Sequence, residues 1–436
     1  MRGFLRDLST TIGTQGLCLG LGFVTNILVA RTLGSSGMGE YTLIMTTLGL
    51  LVLVGSVGLE ASNVYLAGQA AFPAGALLSN SIGVALVSGG LLAWLGWLLR
   101  PWASATVLQG VQALPLLLGL CALPALLAKG SLQGLLRGRG RITTWNFTLV
   151  LNASLMLGFL VLSLRVWRLG VTGAMGAQLL TALLVAAVLV TVLIRDLGGS
   201  CGFHGGALRA ALGYGLQIHL SNVMNFFTYR LNVYLLNLYL GVRDVGLYAV
   251  ALALLQLVLA LPSAIQYVLF PKIAQTDSRV LQQRMPVLLR MTTFVMGGLF
   301  VLLWVGAPWL VRLCYGPEYA ESVRPLQWLL PGGFALSLCA VMDAYNCGRG
   351  RPDIPIYAAG AALAVTVGCG VFLIPRYGLL GASATASLAY GALSVVEFLG
   401  YRRLSGRGVR ESFLITRDDV RLMREAALRR PLNLDS

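Results

Sequence analysis

The chain has 436 residues, of which 57% are hydrophobic and only 11% charged, with a mean hydropathy of +0.79 and a formal net charge of +16. Soluble domains carry about a quarter charged residues, so the composition excludes an ordinary soluble enzyme and predicts a polytopic membrane protein. Its repeated apolar runs exceed about 18 residues and lack the every-second-residue alternation of barrel strands, which makes the expected spans helical.

In chain order, hydropathy predicts helices near 10–31, 39–61, 77–99, 112–135, 143–164 and 172–194, then near 212–239, 246–269, 287–310, 325–347, 355–374 and 380–401. The first could be read as a secretory signal, because Arg2 and Arg6 precede an apolar run. A counterpart begins near Leu216, far from the N-terminus, so it is read as a retained span. The second six repeat the first. Leu33-Gly34 with Gly39 and Tyr41 recurs as Leu240-Gly241 with Gly246 and Tyr248, and Pro101-Trp102 and Pro124 recur as Pro308-Trp309 and Pro331, all at a displacement of 207. Gly170, Gly173 and Ala174 recur as Gly378, Gly381 and Ala382 at 208, and Gly138-Arg139-Gly140-Arg141 recurs as Gly348-Arg349-Gly350-Arg351 at 210. So small a drift is the mark of an internal duplication. The expected fold is therefore all-α, with twelve transmembrane helices as two parallel six-helix repeats around a central cavity. The lobes are residues 1–205 and 206–402, followed by a basic tail, 403–436, that is predicted to be cytoplasmic.

Basic residues near span ends set the orientation. With the N-terminus inside, 22 of the 32 fall in inner segments and eight in outer ones, so both termini are expected in the cytoplasm and the chain in a bacterial inner membrane. The positive charge then faces anionic lipid, and no nucleic-acid partner is implied. In the tail, Thr416 with Asp419 resembles a helix start, leaving an interfacial helix and a frayed tail both open. The seven cysteines show no C-x-x-C spacing and read as packing residues.

No phosphate-binding G-x-x-x-x-G-K-[ST] occurs, and the two histidines, His204 and His219, are too few for a metal site or a triad. No catalytic residue, metal or cofactor is expected. What remains are charges inside the membrane, which face a cavity or a partner because hydrocarbon does not solvate them. Arg230 lies nine residues, roughly 13 Å, from the outer end of its span. It either lines a polar cavity with Asn225, Thr228, Tyr229 and Asn232 nearby or snorkels outward. Lys129 and Arg290 lie about two turns from the inner face, where a place in a phosphate-accepting basic lining and simple snorkelling are both open. Glu60, Asp343 and Glu397 are candidate coupling or charge-balancing acids; Glu397, five residues before Arg402, reads most simply as a solvated helix end. Pro124 and Pro331, at equivalent places, suggest matched bends for two rocking lobes, although ordinary packing explains them as well.

Two stretches carry a family resemblance: ARTLGSSGMGEYTLIMTTLGLLVLVGSVGLEASNVYLAG from Ala30, and YRLNVYLLNLYLGVRDVGLYAVALALLQLVLALPSAIQYVLFPKIA from Tyr229. Their arginine, L-G-x4-G-x-Y spacing and L-F-P-x-I-A ending resemble the polysaccharide transporter, or lipid-linked oligosaccharide flippase, branch of the multidrug/oligosaccharidyl-lipid/polysaccharide exporter superfamily. The resemblance implies two six-helix lobes around a cavity and the movement of undecaprenyl-diphosphate-linked sugar repeat units between leaflets by alternating access, without ATP. The implied partners are lipid-linked oligosaccharide, membrane lipids and the polymerase and glycosyltransferases of the same biosynthesis. Arg230 matches the family's usual cation in the seventh span. Tyr229 stands where an acid often precedes it, so no acid–arginine pair is expected there. The first span has Asn26 and no acid, unlike many cation-coupled drug exporters. A multidrug or lipid exporter of the same superfamily remains the main alternative, followed by a membrane-embedded polymerase or ligase, for which the longest outer connection, near 310–324, offers only Glu318 and Glu321.

Overall fold

The computed structural model describes residues 2–197, 202–275 and 278–414, and within them every element is helical. The proposed tail helix around Thr416 lies outside these residues. The first half contains α1 (Arg2–Ser56), α2 (Leu59–Gly68), α3 (Ala74–Leu98), α4 (Arg100–Ala105), α5 (Ala113–Cys121), α6 (Leu123–Gly138), α7 (Ile142–Leu160), a π-helical turn (Val161–Val166) and α8 (Gly170–Asp196). The second contains α9 (Gly205–Tyr239), α10 (Val242–Gln275), α11 (Ser278–Cys314), a 3-10 turn (Pro317–Ser322), α12 (Val323–Gly348), α13 (Asp353–Ser405) and α14 (Val409–Phe413).

Among the described residues nine helical stretches are long and apolar enough to cross a membrane, against the twelve expected. Part of the difference is that two expected interhelical loops do not exist. Thr10–Ser56 and Asp353–Ser405, at 47 and 53 residues, are twice the length a bilayer needs, and each bends without a loop at a glycine, Gly34 (φ 68°) or Gly378 (φ 57°). A side chain disfavours that left-handed backbone, so glycine alone lets the chain reverse in one residue. A further helix, α9, runs 35 residues but carries His219, Asn222, Asn225, Arg230, Asn232 and Asn237, and it is not among the nine.

The duplication is written in the backbone. Positive-φ glycines pair across the halves as Gly34 with Gly241, Gly110 with Gly316, Gly140 with Gly350 and Gly170 with Gly378, at separations of 207, 206, 210 and 208. The twin motifs also touch each other. A Cβ built on Gly39 would lie 1.7 Å from the Val242 carbonyl oxygen, and one built on Gly246 would lie 1.9 Å from that of Ser35. Gly246 and Val242 are Gly39 and Ser35 displaced by 207, so the contact is its own mirror under exchange of the halves. Here α1 and α10 cross backbone to backbone, the close approach that small residues permit between membrane helices. Met38, Leu43 and Ile44 meet Val245, Leu247 and Tyr248 around the crossing, all 2% exposed or less.

The outer surface is apolar, with Val87, Trp94, Leu302, Trp309 and Leu313 exposed, while Asn63, Asn80, Asn232 and Asn346 are buried. This inside-out distribution is what a lipid solvent selects. The bend at Pro331 shows how the freed backbone is served. The Ser387 hydroxyl donates to the Trp328 carbonyl (2.6 Å) and accepts from the Gly332 N–H (3.3 Å), wedging α13 into α12. The equivalent Pro124 instead packs on Gly89 of α3, at the start of α6.

Candidate functional site

Two cavities share a wall, the larger between the halves and the smaller within the second half. The larger, about 1030 Å³, is lined by α1, α2, α6, α9 and α10; the smaller, about 520 Å³, by α9, α10, α12 and α13. Phe226, Arg230, Leu252 and Gln256 line both. Asn222, Phe226 and Arg230 recur every four residues on one face of α9, while Asn225 and Tyr229, one place earlier, face the smaller cavity. Arg230 thus stands at the junction of the two cavities. It makes no hydrogen bond or ion pair among the described residues, and the nearby ionisable neighbours are tyrosines, Tyr234, Tyr248 and Tyr390. The polar cluster expected around it divides: Asn225 and Tyr229 line the smaller cavity, whereas Thr228 bonds Met224 (2.9 Å) and Asn232 is buried.

The other two cations lie elsewhere. Lys129 lines neither cavity although its neighbours Leu127 and Gly130 do; its ammonium donates to Asn152 Oδ1 of α7 at 3.0 Å. Arg290 donates to the Glu411 carbonyl at 2.6 Å and so ties α11 to α14. The three cations therefore do not form one basic lining, because Lys129 turns toward α7 and Arg290 toward the end of the described chain.

The acids separate into two groups. Glu60 pairs with Arg137 at one end of the larger cavity. Asp343 and Glu397 both line the smaller cavity with Arg230, Gln266 and Cys339. Asp343 accepts from Gln266, and Glu397 accepts from Asn346 at 2.7 Å. Glu397 is not a solvated helix end: it is 1% exposed, because α13 continues eight residues further to Ser405 and presses it against α12. Sequence reading missed Gln256, Gln266, Arg137, Tyr65 and Tyr214. The two glutamines interrupt an otherwise apolar helix and were detectable by the same rule that singled out Arg230.

At the end of the molecule formed by Gly34, Gly241 and the 3-10 turn, the halves are latched. Arg31 donates to the Cys314 carbonyl (2.7 Å) and to that of Leu313, and the Ser35 N–H, first of the second leg of α1, donates to Glu318 Oε1 (2.6 Å). A cation thus meets a helix C-terminus and a carboxylate meets a helix N-terminus. Asn237 reciprocates from the second half, donating to the Val107 (3.0 Å) and Gln109 (3.1 Å) carbonyls. Tyr315 donates to Asn26 Oδ1 at 2.8 Å, and Asn26 lines the larger cavity. Replacing Arg31 and Glu318 together by alanine is expected to loosen this end. In a background with the native cysteines removed, a cysteine at Asn26 should then react severalfold faster with a membrane-impermeant thiol reagent from that side; an unchanged rate would show that the latch does not hold the end shut.

The helical frame, the crossing of two repeats and the cavity between them define a membrane-transporter fold. It is similar to that of "Lipid II flippase MurJ, inward closed conformation" (TM-score 0.79, 13% identity, 96% of this chain and 92% of that one) and of an inward-facing "multidrug resistance MATE family transporter of the MOP superfamily" (0.72, 16%, 89% and 95%). It is also similar to a MOP superfamily transporter from Pyrococcus furiosus whose title reports a binding pocket of reversed polarity (0.62, 15%, 92% and 94%). No curated protein matches the sequence. The chain belongs to the polysaccharide biosynthesis protein family, which matches residues 28–324, more than two thirds of its length.

Proposed function

We propose that the chain is a flippase that moves undecaprenyl-diphosphate-linked oligosaccharide repeat units from the inner to the outer leaflet of a bacterial inner membrane, by alternating access and without ATP. The observation that carries this reading is Arg230: a guanidinium that forms no ion pair among the described residues, standing where the cavity between the halves of a polysaccharide biosynthesis protein meets a second cavity inside its second half. A permanently charged planar fork is suited to the oxygens of a diphosphate, and among the described residues no carboxylate pairs with it. The multidrug reading is less well served, because cationic amphiphiles would meet that charge as repulsion.

In this reading the lobes are residues 1–205 and 206–402, both termini are cytoplasmic, and the latched end faces outward, so the larger cavity reaches the cytoplasmic side at Glu60 and Arg137. Arg230 binds the diphosphate. Lys129 and Arg290 secure helices, and Asp343 and Glu397 supply negative charge opposite Arg230 when no substrate is present. The prenyl chain stays in lipid, since exposing it in a polar cavity would cost about 0.8 kcal/mol per methylene. The chain is not an enzyme in this scheme; polymerase and glycosyltransferases act before and after it. In cells that make the polysaccharide, deleting the chain is expected to remove the surface polymer and to accumulate the lipid-linked repeat unit on the cytoplasmic side. Loss of polymer without that accumulation would place the protein in synthesis rather than translocation.

A further inference from the structure

The rim of the larger cavity combines features that the flippase reading leaves unused. Tyr65 of α2 and Tyr214 of α9 lie face to face, ring centroids 4.4 Å apart and planes 3° from parallel, and both line the cavity. They come from different halves of the chain. The pair is held in place by the backbone beneath it: the Ser62 hydroxyl donates to the Ala211 carbonyl at 2.6 Å, and a Cβ on Gly58 would lie 2.4 Å from the Gly215 carbonyl oxygen. Tyr65 is nevertheless 42% exposed, so the stack does not consume its aromatic surface. The Glu60–Arg137 ion pair lines the same end, with the Arg137 guanidinium 5.4 Å from the centre of the Trp145 ring. Its side chains keep 52% and 33% of their exposure, so oxygen and nitrogen atoms remain available to a ligand.

We infer that this rim, Tyr65 and Tyr214 with Glu60 and Arg137, is a carbohydrate-binding subsite separate from the anion site at Arg230. A pyranose ring has an apolar C–H face and a perimeter of hydroxyls. The first stacks on an aromatic plane, whose π face is electron-rich, and the second exchanges hydrogen bonds with an acceptor carboxylate and a donor guanidinium. Rigid aromatic surface with a few placed polar groups is the general make-up of a small-ligand site. The rim lies sixteen residues before Arg230 on the same helix, about 24 Å along its axis. A headgroup with its diphosphate on Arg230 therefore reaches Tyr214 only through a run of several sugar rings, so the subsite selects an oligosaccharide over a single sugar. This inference rests on the flippase reading for its diphosphate end.

The test uses the purified full-length chain, a panel of phosphate-free bacterial-type oligosaccharides of three to six rings, and inorganic pyrophosphate titrated separately. Wild type is expected to bind at least one glycan of the panel. Tyr65→Leu and Tyr214→Leu, which keep apolar bulk without a ring, should weaken that binding at least tenfold. Tyr65→Phe and Tyr214→Phe should keep it within threefold, and Tyr357→Ala, on an exposed face of α13 outside both cavities, should not change it. Thermal melting of each variant confirms that the fold is kept. No glycan bound by wild type, or equal binding in the leucine variants, would overturn the subsite. The pyrophosphate arm, compared between wild type and Arg230→Ala, reports on the anion site alone, so a failure there is distinguishable from a failure here.

Discussion

Arg230→Ala is expected to abolish surface polysaccharide while the protein continues to reach the membrane at normal levels. Among the described residues the guanidinium forms no ion pair for its loss to break, and it is one of many residues lining the two cavities. The loss should therefore fall on the ligand. A charge-assisted fork is worth about 3 kcal/mol, equivalent to about a hundredfold in affinity. Arg230→Lys keeps a point charge but not the planar pair of donors, and should retain a tenth or so of wild-type transport. Polymer levels that are unchanged in Arg230→Ala, measured beside protein abundance, would remove the residue from the pathway.

The second large effect is structural. Gly39→Ala or Gly246→Ala should destabilise the protein by about 3 kcal/mol, because the added methyl has backbone rather than a flexible side chain in its way. The neighbouring carbonyl oxygens stand at 1.7 and 1.9 Å from the would-be Cβ atoms, so α1 and α10 must part. Since the two glycines touch the same crossing, the double variant should cost less than the sum of the singles: once the helices have separated, the second methyl meets little. Gly20→Ala, where nothing lies within 4 Å, serves as the control and should melt no lower than wild type. Thermal unfolding in detergent checks all four. Wild-type melting for Gly39→Ala would mean that the halves do not meet through this contact.

Both expectations trace to features visible in the sequence. The L-G-x4-G-x-Y twins identified the repeat, and the structure shows why those glycines recur: Gly34 and Gly241 turn the chain, while Gly39 and Gly246 admit the other half's backbone. Arg230 was legible because an arginine in an apolar run needs a reason. Less legible were the sides to which charges point. Lys129 and Arg290 have the same sequence signature as Arg230, yet one meets Asn152 and the other the carbonyl of Glu411. Hydropathy records depth but not helix rotation, which packing decides. Glu397 was misjudged for a related reason: Arg402, five residues on, suggested a solvated helix end, while Asn346 on another helix and eight more residues of α13 enclose it. The two uninterrupted helical hairpins at Gly34 and Gly378 escaped notice because a one-residue reversal leaves no polar loop to mark it. Aromatic pairs such as Tyr65 and Tyr214, 149 positions apart, have no local signal at all.

The most direct test of the central claim is translocation itself. The purified chain, reconstituted in vesicles with prenyl-diphosphate oligosaccharide confined to the inner leaflet and no nucleotide present, should bring the sugar within reach of an external glycosidase, and the Arg230→Ala protein should not. Sugar that stays protected with the wild-type chain, or becomes accessible equally with the variant, would contradict the account.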